Sequence, residues 1–416
     1  MPDVMPESLE AETLPRRSAA PRYLIALAFV AFISLGLPDG VLGVAWPSMR
    51  QTLERPLDRL GVLLICGMAG YLASSFFSGQ VVARLGVGGL LAASGGLVTL
   101  ALAGYALAPR FEWLIPCAAI GGLGGGAIDA GINAFAAARF SPRIVNWLHA
   151  SFGIGATSGP ALMTLILARE WSWRIGYGVL AGLLAGLSVV FLLTARRWRL
   201  PTSSGESPSV APFGDALRMP AVWHHAGLFV LYCGIESTAG QLLFTLNTEG
   251  RGMSVVTAGT VASCFWGAFT FGRIVFGQLT TRMSSRAVLR TGTLLAPVAA
   301  GLVWWNPSPA ASVAGNVLLG FALAPVFPTL ISVTPERLGS AIAPHAIGMQ
   351  VSAAAVGIAL MPTIVGSLGQ RLGLEAIAAA VFVATLLLLA FQEWLDSRLS
   401  LGRGAGGSAA APLAND

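Results

Sequence analysis

Residues 60–108 read LGVLLICGMAGYLASSFFSGQVVARLGVGGLLAASGGLVTLALAGYALA and carry one charge, Arg84. A helix that crosses a bilayer needs about 20 mainly apolar residues. The stretch holds two such runs, 60–82 and 88–108, parted at Arg84-Leu85-Gly86. Breaks of the same kind, at charges or at Pro and Gly, divide the rest of the chain. Twelve runs result: 22–47, 60–82, 88–108, 112–137, 145–168, 174–195, 222–246, 255–279, 288–306, 309–334, 342–367 and 373–394.

Composition agrees with this count. Of 416 residues 55% are hydrophobic and only 11% charged, where soluble domains carry about 25% charge. So few charges cannot clothe a soluble protein of this size. Gly contributes 51 residues, a load that membrane helices tolerate better than soluble ones. A soluble enzyme, a disulfide scaffold, a disordered chain and a nucleic-acid binder are excluded. Cys66, Cys117, Cys233 and Cys264 each sit in an apolar run without metal-ligand spacing and are expected to be buried small hydrophobes. The expected fold class is an all-α polytopic membrane protein of twelve transmembrane helices.

Every one of the 25 basic residues is Arg. They are scattered singly, so the net charge of +6 is no polybasic footprint. Their sidedness carries the information. An inside N-terminus puts 16 arginines in the cytoplasm and 8 outside, with Arg273 within a span. Both termini are therefore expected inside. The organisation that follows is a cytoplasmic tail (1–21), a six-helix bundle (22–195), a cytoplasmic linker (196–221), a second six-helix bundle (222–394) and a cytoplasmic tail (395–416). Residues 1–21 lack a small-residue cleavage site after a short apolar core, so the first span reads as retained.

The two bundles repeat. A shift of 198 residues lays Gly79-Gln80 and Arg84 on Gly277-Gln278 and Arg282, and Gly159-Pro160-Ala161-Leu162-Met163 on Gly357-Ile358-Ala359-Leu360-Met361. It also lays Gly36 on Gly234 and Gly122 on Gly320. One offset across four helix pairs points to a duplicated six-helix unit in parallel orientation.

Acids inside a membrane are costly, so each one is a functional candidate. Asp39 lies in Gly36-Leu37-Pro38-Asp39-Gly40, where Pro38 can open the helix; the carboxylate either serves a site or caps the kink. Asp129 continues a stripe of Gly122 and Gly126 and precedes Asn133 by one turn; the glycines alone would also suit tight packing. Glu236 shares a helical face with Tyr232, Gly240 and Asn247 and reads equally as a site acid or a buried structural one. Desolvation disfavours a carboxylate anion, and a carboxyl that takes a proton on one side and releases it on the other is what a proton-coupled carrier needs. Gln241, Trp266, Asn316 and Gln350 could line a cavity, and His149, one turn from Asn146, could bond a solute hydroxyl or be structural. Arg273 reads as snorkelling to a membrane surface.

Twelve spans as six plus six, with a central loop, resemble the major facilitator superfamily. Its loop motif Gly-x-x-x-Asp-Arg/Lys-x-Gly is matched at Gly79, Arg84 and Gly86, with Ala83 in place of the acid. Four segments resemble the fucose permease family of sugar–proton symporters: Gly36-x-x-Asp39-Gly40 with Trp46-Pro47, Asp129-x-x-x-Asn133, Tyr232-x-Gly234-x-Glu236, and Ala324-Pro325-Val326-Phe327-Pro328-Thr329. The resemblance implies a major facilitator fold of two pseudo-symmetric bundles and a cavity opening alternately to each side. It implies Asp39 and Asp129 as proton-coupling acids. Asn133, His149, Glu236, Gln241, Trp266, Asn316 and Gln350 are the solute-binding candidates that the residues themselves offer, and the loop motif puts Gly79, Arg84 and Gly86 at the gate. The expected activity is proton-coupled movement of a small polar solute, foremost a sugar, by a non-enzymatic, functionally monomeric carrier in a plasma membrane, expected to be a bacterial inner membrane. No cofactor, metal or nucleic acid is expected, and sodium stays open as the coupling ion. The alternative is a proton-driven exporter of drugs or metabolites, because Gly155-x-x-x-Gly159-Pro160 partly matches an exporter motif, although Met163-Thr164 stands where that motif has two glycines.

Overall fold

The protein, seen in a computed structural model, is described over residues 21–198 and 211–407. The expected tails over 1–20 and 408–416 and the expected linker over 199–210 lie outside the described residues. Among those described there are helices and no strands, as expected where no water can satisfy an open backbone. The crossings are α1 (Arg22–Thr52), α2 and α3 (together Leu57–Leu107), α4 (Phe111–Arg139), α5 (Pro142–Leu167), α6 (Trp173–Thr194), α7 (Pro220–Gly250), α8 (Val255–Leu279), α9 (Ser285–Trp305), α10 (Pro309–Leu338), α11 (Ala343–Leu372) and α12 (Glu375–Gly407).

α2 and α3 part at Gly86, whose φ of 69° is left-handed. Only glycine takes that conformation freely, so the third residue of the loop motif has a backbone reason. α1 is interrupted between Arg22–Gly36 and Val41–Thr52, at Leu37-Pro38-Asp39-Gly40. It ends five residues beyond the expected 47, because Pro47 lies inside a helix that its own buried neighbours Trp46 and Met49 hold in place. α10 is interrupted at Ala324-Pro325. Two expectations need correction. α12 continues well past 394 into residues assigned to the tail. The linker holds a short helix, Phe213–Arg218, before α7 begins at Pro220. Of the four thiols only Cys233 is buried; Cys264 is exposed and the other two are half-buried.

The sequence repeat reappears as repeated helix crossings. A Cβ on Gly36 would strike the backbone of Phe152 and Ala156 on α5, and one on Gly159 would strike the carbonyl of Leu37 on α1. In the second half a Cβ on Gly234 would meet Met361 of α11, and one on Gly357 would meet the carbonyl of Val230 on α7. Gly122 lies on the Gly67 carbonyl of α2, and Gly320 on the Phe265 carbonyl of α8; Gly67 and Phe265 are themselves 198 apart. Small residues let backbones approach this closely, and close packing is what holds membrane helices together.

The halves meet along α2–α11 and α5–α8 and part toward one end; along α5–α8 the contact runs as far as Gly153 against Thr270. Gly61 of α2 sits against Thr363 of α11, while Gly79 has nothing within 4 Å. Eighteen residues are five full turns, so both glycines face the same way. Gly259 of α8 sits against Thr164 of α5, and Gly277, again five turns on, has nothing within 4 Å. The halves therefore close at the Arg50 end and splay at the Arg84 end. Closure is reinforced by an ion pair between Arg50 of α1 and Glu249 of α7 and by the Leu57 N–H donating to Gln370 Oε1 at 3.0 Å.

Two outcomes are expected. Gly36→Val should cost about 1–3 kcal/mol of overpacking and lower the melting temperature of purified protein, whereas Gly182→Ala, with nothing within 4 Å, should not. Arg50→Gln should remove about 1 kcal/mol from the closed end. The ratio of states would then shift about fivefold, read as faster maleimide labelling of a cysteine placed beneath that pair.

Candidate functional site

The interruption of α1 carries the first candidate. Asp39 lies near the middle of the span Arg22–Thr52, and its side chain is exposed to the space between the halves. Its backbone carbonyl accepts a hydrogen bond from Gln241 Nε2 of α7 at 2.9 Å. Gly40 lies against the Trp266 indole and Pro160, and Gly43 against the backbone of Gly240 and Gln241. Gln241 and Trp266 thus form the closed floor of the space, both almost fully buried.

Asp129 is held differently. Tyr71 of α2 donates its hydroxyl to Oδ2 at 2.6 Å, and Asn133 donates Nδ2 to Oδ1 at 2.8 Å. The Gly122–Gly126 stripe is packing against α2, where a Cβ on Gly126 would meet the Tyr71 carbonyl and the Ser74 and Ser75 hydroxyls. The same face then presents the acid and the amide one turn further on. Sequence reasoning missed Tyr71; an aromatic hydroxyl beside glycines in mid-span is the signal that could have found it.

Glu236 is half-buried and lies near the middle of α7. Asp39 and Glu236 are close enough to feel each other's charge, and both feel Arg273. Arg273 was expected to snorkel toward the membrane surface, and the structure overturns that expectation. Helical side chains lean toward the N-terminus of their helix. In α8 that lean points to mid-membrane, and the guanidinium stacks on Phe269, one turn back, at 4.4 Å from the ring centroid. Its Nε is buried without a partner. His149 is exposed to the same space, packs edge-on against Phe32 at 5.1 Å and feels both Asp129 and Arg273. The side chain of Asn146 lies outside the described residues.

Two candidates do not join this group. Gln350 is fully buried, with its amide paired to Thr334 at 2.9 Å; neighbouring polar helices satisfied it. Asn316 is buried and donates to the Ser312 carbonyl at 2.8 Å. It lines a separate small cavity with Asn247, Phe244 and Phe265 inside the second half. Of the gate residues, Gly79 and Arg84 are exposed at the splayed end and Gly86 makes the turn. At the same end of the second half, Asp396 binds Arg337 at 2.9 Å and Arg286 at 3.2 Å.

Paired six-helix halves, a polar space between them and closure at one end define a polytopic membrane carrier. The sequence model described as Major Facilitator Superfamily matches residues 25–349, and the chain belongs to that superfamily. It is 22% identical to the glucose/mannose transporter GlcP of Bacillus subtilis over 88% of this chain and 92% of that one. It is 23% identical to the sodium-dependent glucose transporter 1A of Mus musculus over 82% and 88% of the two chains. Among solved structures it resembles the nucleoside transporter NupG, with a TM-score of 0.74 at 15% identity over 89% of this chain and 98% of that chain. It also resembles the Escherichia coli fucose:proton symporter FucP, with a TM-score of 0.62 at 15% identity over 90% and 98% of the two chains. The protein is a multi-pass membrane transporter of small solutes.

The bond from Tyr71 to Asp129 joins two helices. A double-mutant cycle of Tyr71→Phe and Asp129→Asn, read by thermal unfolding in detergent, should return a coupling of about 1–2 kcal/mol.

Proposed function

We propose that this chain moves a small polar solute, foremost a sugar, across the membrane by alternating access coupled to protons. The observation that carries the reading is Asp39: an exposed carboxylate at mid-span, in a broken helix, beneath a closed floor and facing the splayed end of the molecule. Discontinuous helices are where secondary transporters bind substrate and coupling ion. Asp39 takes up the proton. Asn133, His149 and Glu236 offer the donors and acceptors that hydroxyl-rich solutes require, and Asp129 presents an anion already fixed in place. The names of the relatives GlcP and FucP support a sugar. One charge crossing 100 mV supplies about 2.3 kcal/mol, enough for a gradient of roughly 40-fold.

The bias of arginines, 16 to 8, supports cytoplasmic termini. In that orientation the splayed Arg84 end faces the cytoplasm, and the state described is inward-open. The location that goes with it is a bacterial inner membrane, and the working unit a monomer. Gly155 and Gly159, the glycines of the exporter-like stretch, are packed on the carbonyls of Ile33 and Leu37, a packing role that suits either direction of transport.

Purified protein in sealed liposomes with a trapped pH dye tests the proposal. Adding one of a panel of sugars should acidify the interior without sodium, and Asp39→Asn should abolish the signal. Uptake of labelled sugar that requires sodium and does not acidify the interior would assign the other ion. No response to sugars, with alkalinisation on adding drugs to acid-loaded vesicles, would replace the reading with export.

A further inference from the structure

Asp39 and Glu236 lie on the two helices, one from each half, that meet at the closed floor. Gly43 of α1 touches the Gly240–Gln241 backbone of α7, and the two acids lie four residues before Gly43 and Gly240 respectively. Asp39 lies in the break just before that contact, where its carbonyl accepts from Gln241 Nε2, and Glu236 lies about one helical turn before it on α7. Among the described residues no side chain donates to the Asp39 carboxylate, and the Tyr232 hydroxyl is the one side-chain donor set against Glu236. Asp129, by contrast, has a donor on each oxygen, so its anion is already stabilised by charge-assisted bonds. Among the described residues no carboxylate is bonded to Arg273, whose Nε is buried without a partner, and its charge acts on both acids.

We propose that the coupling proton is carried by the Asp39–Glu236 pair, which bridges the two halves and is counter-charged by Arg273, and that Asp129 does not carry it. This rests on the proton-coupled reading above. The charge count gives the reason. Fully ionised, Asp39, Glu236 and Arg273 sum to one negative charge; with one proton they sum to zero. A net charge at mid-membrane is expensive, so the trio rearranges most readily when it holds one proton. The proton arrives from water at the open side and forms an O–H bond on one of the two carboxylates. It returns to water when the halves separate on the opposite side. The other ionisable groups facing the trio are Tyr232 and Cys233 on α7, Tyr71 on α2, Asp129 on α4 and His149 on α5. With one proton for two acids, the proton is assigned to the pair and not to either one.

Infrared difference spectroscopy of protein reconstituted in lipid, stepped from alkaline to acid pH, reads this directly. One protonated-carboxyl band should rise in the wild type, vanish or shift in both Asp39→Asn and Glu236→Gln, and persist in Asp129→Asn. Arg273→Gln leaves two acids without a counter-charge, so its band should about double in amplitude as both take a proton to reach neutrality. Should a variant not fold, wild-type protein treated with dicyclohexylcarbodiimide and mapped by mass spectrometry decides the matter: the adduct should lie on Asp39 or Glu236. A band lost only in Asp129→Asn, or an adduct on Asp129 alone, overturns the proposal while leaving proton coupling intact. A wild type with no band, and no sugar-driven pH change in liposomes, overturns the underlying reading and this proposal with it.

Discussion

Bare backbone laid on bare backbone is the contact on which this molecule depends. Gly36 and Gly159 bring α1 and α5 together, and Gly234 and Gly357 do the same for α7 and α11. Apolar burial gives little net drive between helices already in lipid, so dispersion contacts at short range must hold each half together. Those contacts fix α1 and α7 as rigid neighbours of their own bundles. The halves can then separate from each other without either coming apart. Between the halves, glycine instead receives a threonine side chain, with Gly61 against Thr363 and Gly259 against Thr164 toward the closed end.

Rigid halves give meaning to the charges. A mid-membrane carboxylate is tolerated when it faces a polar space, pairs with a cation or accepts hydrogen bonds. Asp129 is satisfied inside the first half by Tyr71 and Asn133. Asp39 and Glu236 belong to different halves. Their mutual repulsion and their attraction to Arg273 therefore depend on how the halves sit, and a proton on either acid alters the cost of the arrangement. At the Arg50 end, the pair Arg50–Glu249 is likewise split between halves, so it favours the closed arrangement without stiffening either bundle.

Much of this was legible before any coordinates. Span count followed from apolar run length, since the bilayer demands about 20 residues per crossing. The 198-residue offset was legible because duplicated helix crossings need glycine at equivalent places. Asp39 and Asp129 stood out because acids are rare in apolar runs. Less could be read of the partners. Gln350 and Asn316 look identical in sequence to cavity-lining amides, yet each is satisfied by a neighbour that the fold supplies, Thr334 and the Ser312 carbonyl. Tyr71 lies 58 residues before the acid it bonds.

Arg273 marks the boundary most clearly. From its place six residues before the end of α8, the sequence permits either a side chain reaching the nearby membrane surface or one reaching inward. Side-chain lean and the Phe269 ring decide for inward, and only the packing of α8 against α1 and α7 sets what it meets there. By itself the sequence determined the class of protein, the number of crossings, the duplicated architecture and the depth of the acids, because hydrophobic length and local helix geometry act along the chain. Tertiary structure alone decided which acids are satisfied, which face each other across the halves and which end is closed. Those depend on distances between helices that no local pattern encodes.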